Sequence, residues 1–459
     1  MCQYTSILRS ALLVVAFAGC RFVRPAASPG LAQQQAIVHV TMVGIGDDPD
    51  RPDMTVITDG TRISAVGPSS ELGVPGGASV TDGTGMYLIP GLWDMHVHSS
   101  TEGEAALAEY VAHGVTGVRD MGSEVHALSR LRDAVRRGDR LGPRILMAGP
   151  MIESVDAMRG ILERASAADS ARAVGDRLVV RSPAAAASGV DSLARLGVDM
   201  IKARDFTDAA TYWAIARAAR AAHLPFVGHA PFGLPVAAEA VADSGQRTLE
   251  HWYFPTDLFS RPREEYERAV AAYARNRTAF APTFQAWRQH RFTVDSLDAL
   301  LAIAAADPRA TQLPLLVSHW RRELAGRLKE IDGKPATADQ LKGWNSVLDK
   351  FGRETAQLAA AGIPTIAGSD LPFARFPGDA LHDEPVRFVV EAGYTPRRAL
   401  ATATTFAVEA AGVSDSLGAI RPGLLADMVL LGGNPGTDIE QVRRVNAVMQ
   451  SGRFTWKKR

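Results

Sequence analysis

The chain is dominated by one repeating pattern: a short apolar run, then a helix-forming stretch. Most of the runs end on a histidine, lysine or aspartate. Counted from the run that ends in His96-Val97-His98, they cover 114–121, 143–148, 198–202, 225–229, 247–251, 279–284 and 364–370. Eight such strand–helix units fit an α/β fold, a (β/α)8 TIM barrel, in which each helix carries the chain back to the same end of the sheet. A doubly wound sheet is the competing architecture. It would not need ligand-type side chains at strand ends from both the start and the finish of the series.

Outside this series the pattern changes. Short alternating or β-branched runs at 37–43, 54–58, 62–66 and 86–89 are broken by turn pairs such as Asp59-Gly60. Similar runs return at 426–431 and 445–449 around Gly432-Gly433-Asn434-Pro435. These are hairpin signals, and they predict a small β-sandwich domain assembled from 37–88 and 417–459, with the barrel over 89–416. The segment 285–350 is too long for a barrel connection, and its helix-like stretches at 296–306 and 315–331 predict a lid over the strand ends. Trp287, His290, His319 and Trp320 either line a substrate there or simply pack the lid.

The first residues are of another kind. Arg9 precedes the apolar run 11–18, which is closed by Gly19-Cys20 and is too short to span a bilayer. It suits the core of a secretory signal over 1–20, and small residues before Cys20 resemble a bacterial lipobox. The Pro-, Ala- and Gln-rich stretch 21–36 then reads as a linker. Export to the periplasm or to a membrane, through a lipidated Cys20, is the expected localisation. Cys2 and Cys20 are the only cysteines, so the rest of the chain has neither a disulfide nor a thiol nucleophile. With 50 basic and 50 acidic residues, no overall field favours nucleic acid.

His96 and His98 are one residue apart at a strand end, so both imidazoles point the same way and can grip one metal ion. The alternative is a pair of satisfied core histidines. Lys202, His229, His251 and Asp370 end four later strands, at the barrel face where active sites form. A lysine ending an apolar strand meets a desolvation cost or a partner. Its burial yields a nucleophilic amine able to take up carbon dioxide as a carbamate. The alternative is a head group that snorkels out of the barrel mouth.

The stretches LIPGLWDMHVHSS, GVTGVRDMG, GVDMIKAR, FVGHA, TLEHW, TIAGSD and SLGAIRPGLLADMVLLGGNP, in that order from Leu88 to Pro435, resemble the amidohydrolase superfamily. The resemblance is to its binuclear branch with a carboxylated lysine, among imidazolonepropionase-like and prolidase-like hydrolases. It implies that His96, His98 and Asp370 hold the more buried of two divalent metal ions, and that His229 and His251 hold the second. Carbamylated Lys202 and a hydroxide would bridge both. Zinc suits these ligands best, with manganese, cobalt or iron as alternatives. Asp370 would be the catalytic proton carrier. The chain departs from the family where Ala230-Pro231-Phe232-Gly233 and Trp252-Tyr253 follow the histidines of strands five and six. Imidazolonepropionases also lack the bridging lysine, which disfavours that activity.

The expected reaction is hydrolysis of an amide bond in a small molecule, a dipeptide or N-acyl amino acid. Arg204, two residues past Lys202, and Arg375, past Asp370, could pair with a substrate carboxylate. Each could equally be a solvated rim charge. Trp252 would stand beside the metals. A lactonase or phosphotriesterase would share the metal logic, a mononuclear deaminase would leave Lys202 unmodified, and a lipid-anchored binding protein would have no chemistry. Assembly into a homo-oligomer is compatible with all of these.

Overall fold

The computed structural model describes residues 34–458 apart from 166, 207, 252–257 and 331–336. The stretch expected to be an export signal, with Cys20, and Trp252 therefore lie outside the described residues. Among those described, no helix is long and apolar enough to cross a membrane.

Both ends of the chain meet in one mixed sheet of eight strands. The strand Tyr87–Pro90 is its hinge: it pairs parallel with Gln35–Met42 and antiparallel with Met428–Leu431. Alternation explains why these strands are apolar on both faces. Leu88, Met428 and Leu430 point into the core of the terminal sheet, while Ile89, Val429 and Leu431 pack into the large core shared with the barrel helices. The far edge curls back, with Ile63 N donating to Leu424 O at 2.9 Å, so the sheet encloses its own core in a small sandwich. The first strand begins at Gln35, inside the stretch expected to be linker. Strands Ser79–Asp82 and Arg453–Lys457, which sequence alone does not suggest, complete the sheet.

The barrel is regular at six of its eight positions: Leu92–Val97, Val115–Asp120, Arg144–Met147, Phe226–Gly228, Gln246–Glu250 and Ala279–Ala281. The fourth strand, Ile201–Ala203, forms no ladder with the third, and the eighth is irregular, with a single bridge between Thr365 and Phe280. Hydrogen bonds nevertheless close the ring. Asp199 N donates to Met147 O at 2.8 Å, Phe280 N to Pro364 O at 2.8 Å, and Met95 N to Ala367 O at 3.0 Å. Two unexpected strands, Met151–Ser154 and Arg177–Val180, extend the sheet above the third position, where Ala203 pairs with Ile152. They are short and flanked by helices, so they lack a long alternating signature.

The segment expected to form a lid is made of helices. Phe284–Arg288, Val294–Ala306 and Pro314–Glu330 lead into Ala338–Ala360. That last helix opens with a capping box at Thr337 and Gln340 and runs past position 350, so the insertion merges into the helix that precedes the eighth strand. The seventh strand stops at Ala281, and the chain turns at Thr283 instead of continuing to Phe284.

Candidate metal centre

Four histidines, a lysine and an aspartate converge at the C-terminal mouth of the barrel. Asp370 is the hub: its Oδ1 lies 3.4 Å from His96 Nε2 and 3.3 Å from His98 Nε2, and its Oδ2 lies 3.7 Å from His251 Nδ1. Lys202 Nζ is 3.3 Å from His96 Nε2. The His251 ring centre lies 4.9 Å from that of His96 and 5.1 Å from that of His229. The candidate ligand atoms of His96, His251 and Asp370 all lie within 4.8 Å of one another.

Local backbone makes this convergence possible. Alternation points Thr248 and Glu250 into the barrel, so the next residue should face outwards. His251 instead takes a left-handed conformation (φ 61°) and turns back to the mouth. Asp370 does the same at φ 51°. For non-glycine residues this costs roughly 1–3 kcal/mol each, which the surrounding packing must offset. Close approach adds its own demand: a Cβ at Gly368 would sit 2.7 Å from His96 Cβ.

Every histidine is oriented through Nδ1. His96 faces Glu250 Oε2 at 2.9 Å, His98 the Gly122 carbonyl at 3.0 Å, His229 Asp205 Oδ1 at 2.9 Å and His251 Thr283 Oγ1 at 2.7 Å. Glu250 is held in turn by Arg119, whose NH2 group donates to it at 2.7 Å while NH1 donates to Thr248 at 2.8 Å. Glu250, Arg119, Asp205 and Thr283 are the site residues that motif reading misses. The signal was present for two of them, because an arginine and a glutamate inside apolar strands must find a partner.

Electrostatics keep the donors ready. Burial and the neighbouring Lys202 hold the His96 imidazole well below its usual pKa. Burial takes His251 down to about 3 and Lys202 down to about 8. Burial would raise Asp370, yet the His96, His251 and His98 imidazoles around it hold its carboxyl well below the ordinary range. For Asp205 the same opposition resolves at about 2, through its hydrogen bond to His229.

A cavity of about 480 Å³ opens onto this centre, lined by His98, Lys202, His229, His251 and Asp370 on one side. The lid supplies Trp287, His290 and His319, so three of the four lid residues singled out from sequence do line it. Trp320 is fully buried and packs on Phe376 instead. Arg204 reaches the cavity wall, where it and Arg177 share the buried Glu153, each at 2.9 Å. The expectation for Arg375 is corrected: its guanidinium pairs with Asp383 at 2.7 Å and lines a different cavity. Nearness in sequence to Asp370 misleads because the chain turns away through Leu371 and Ala374, both with positive φ.

The fold has well-matched relatives among solved structures. A prolidase complexed with N-methylphosphonate-L-proline superimposes with a TM-score of 0.68 at 21% identity, covering 93% of this chain and 100% of that one. A Xaa-Pro dipeptidase with methionine bound in its active site gives 0.65 at 20% identity, covering 93% and 100%. The ochratoxinase of A. niger gives 0.68 at 16%, covering 94% and 97%. No curated protein matches the chain. A family model described as the amidohydrolase family matches residues 87–262 and 340–455, leaving unmatched the interval that carries the lid. The match takes in the strands that bring His96, His98, Lys202, His229, His251 and Asp370 together. The chain belongs to the amidohydrolase family, enzymes that hydrolyse carbon–nitrogen bonds.

Proposed function

We propose that the protein hydrolyses the amide bond of a dipeptide or N-acyl amino acid at a pair of divalent cations, zinc fitting the donor set best. His96, His98 and Asp370 would hold one cation, His229 and His251 the other, with Lys202, carbamylated, between them. The observation that carries this reading is the common orientation of the histidines. Each uses Nδ1 on a carboxylate, carbonyl or hydroxyl, the arrangement that fixes a metal-ligating imidazole to bind through Nε2.

Two cations at such a site supply a hydroxide near neutral pH and polarise a carbonyl. The chain's own residues supply the rest. Asp370, kept ionised and a fifth exposed, can accept a proton at a carboxylate oxygen and release it to the departing amine. Burial of Lys202 favours the neutral amine that carbamylation requires. Arg204 and Arg177, sharing one buried carboxylate, give the cavity wall a guanidinium surface suited to a substrate carboxylate. The prolidase and Xaa-Pro dipeptidase relatives agree with a dipeptide substrate.

Elemental analysis together with mass detection of a carbon dioxide adduct on Lys202 tests the centre. Near two metals per chain is expected, and one metal with unmodified lysine would favour a mononuclear enzyme. A panel of dipeptides and N-acyl amino acids, run beside lactones and organophosphates, tests the substrate. Turnover confined to the latter would replace the amide reading.

A further inference from the structure

The short helix Phe284–Arg288 and the turn Gln289–Arg291 divide two cavities. Trp287 and His290 face the metal centre, whereas Gln285 and Arg288 line a second cavity of about 350 Å³ under the lid helix Val294–Ala306. That volume is within the range of small-molecule sites. One part of its wall is apolar, with Phe292, Leu297, Phe373 and Phe376 inside, and the rest carries charged side chains. Leu300 and Ile303 stand at the mouth, Ile303 with 71% of its surface exposed.

The charges in this cavity are not equivalent. Asp307 and Asp379 both pair with Arg309, at 2.9 and 2.8 Å. Asp383 is held by Arg375 at 2.7 Å and by Arg443 at 2.6 Å. Arg288 has no carboxylate within ion-pair distance among the described residues, and its Nε is buried without a hydrogen-bond partner. Its guanidinium stands 5.7 Å from the centre of the Phe292 ring. Burial and the like charge of Arg387 pull its pKa below the usual arginine value, against the opposing Asp383 and Glu391. A cation placed so, beside an apolar chamber, is half of a recognition site for an apolar acid.

We propose that this cavity binds a small amphipathic monocarboxylate, its carboxylate on Arg288 and its hydrocarbon part against Phe292, Leu300 and Phe376. A guanidinium fork suits a carboxylate geometrically. The site is distinct from the metal centre and needs none of its ligands.

Calorimetric titration of the metal-loaded enzyme with hexanoate tests the proposal, with hexanol and hexylammonium as controls. Saturable binding of hexanoate, much tighter than either control, is expected. Arg288→Gln should weaken it roughly tenfold or more, the scale of one charge-assisted hydrogen bond. Leu300→Asp, on the apolar wall, should weaken it similarly and decides the matter if the first variant does not fold. Absence of saturable binding, hexanol binding equally well, or wild-type affinity retained in either folded variant would overturn the proposal. Retained affinity would place the acid elsewhere, the metal centre included.

Discussion

Arg119 and Glu250 are both shut off from solvent, and together they fix the ring of His96 from below. Removing one partner strands the other's charge, which is why Arg119→Met is expected to lower unfolding free energy by about 3–5 kcal/mol. Urea denaturation measures it, and a loss near zero would mean that the buried pair contributes nothing to stability. Glu102, just past His98, presents the opposite case. Burial, with the neighbouring Asp94 and Asp120, pushes its carboxyl up from 4.5 to about 8 although the Tyr110 hydroxyl donates to it at 2.9 Å. Between those two values the native state holds a proton that the unfolded chain has released, so stability falls as pH rises through the window. Relative to Glu102→Gln, the wild type should lose on the order of a few kcal/mol between pH 5 and 8. Parallel stability curves for the two proteins would show that Glu102 titrates normally.

At the scale of elements, the centre depends on how closely the eighth strand approaches the first. Gly368 lies against His96, where an added Cβ would have only 2.7 Å to His96 Cβ and 3.0 Å to its backbone nitrogen. Gly368→Ala should therefore push the two strands apart, costing about 1–3 kcal/mol and separating Asp370 from the histidines. Metal content measured after dialysis should fall with it. The control is Gly326→Ala in the helix Pro314–Glu330, where a Cβ meets nothing within 4 Å. That change should be neutral or stabilising by up to about 1 kcal/mol, because alanine favours a helix over glycine. Equal losses in both variants would remove strand approach as the cause.

For the molecule as a whole, the terminal sheet and the barrel are joined by more than shared apolar faces. Arg144, at the base of the third barrel strand, grips Asp427 through two nitrogens at 2.8 and 3.2 Å and reaches Ser451 Oγ at 2.7 Å. Asp427 is buried, and Arg144 is about a third exposed. Water therefore moderates the pair, and Arg144→Met is expected to cost about 1–3 kcal/mol, less than Arg119→Met. Thermal unfolding of the two variants side by side checks the order. A larger loss at Arg144 would mean that docking of the sheet, not the barrel interior, limits stability.

The order of apolar runs and their polar ends was enough to put His96, His98, Lys202, His229, His251 and Asp370 at the same ends of successive strands, since the βα return is a local property of the chain. The two-faced apolar strand Met428–Leu431 was also readable as sheet, though not as the shared wall of two cores. Only the tertiary structure decided which groups answer one another. Glu250 and Arg119 are separated by 131 positions and meet through a barrel interior that no sequence spacing encodes. Arg204 reaches the cavity while Arg375 is drawn off to Asp383, because a side chain's partner is set by the direction the backbone takes after the strand ends. The left-handed turns at His251 and Asp370 have the same origin: they are strained locally and are held only by the packing around them.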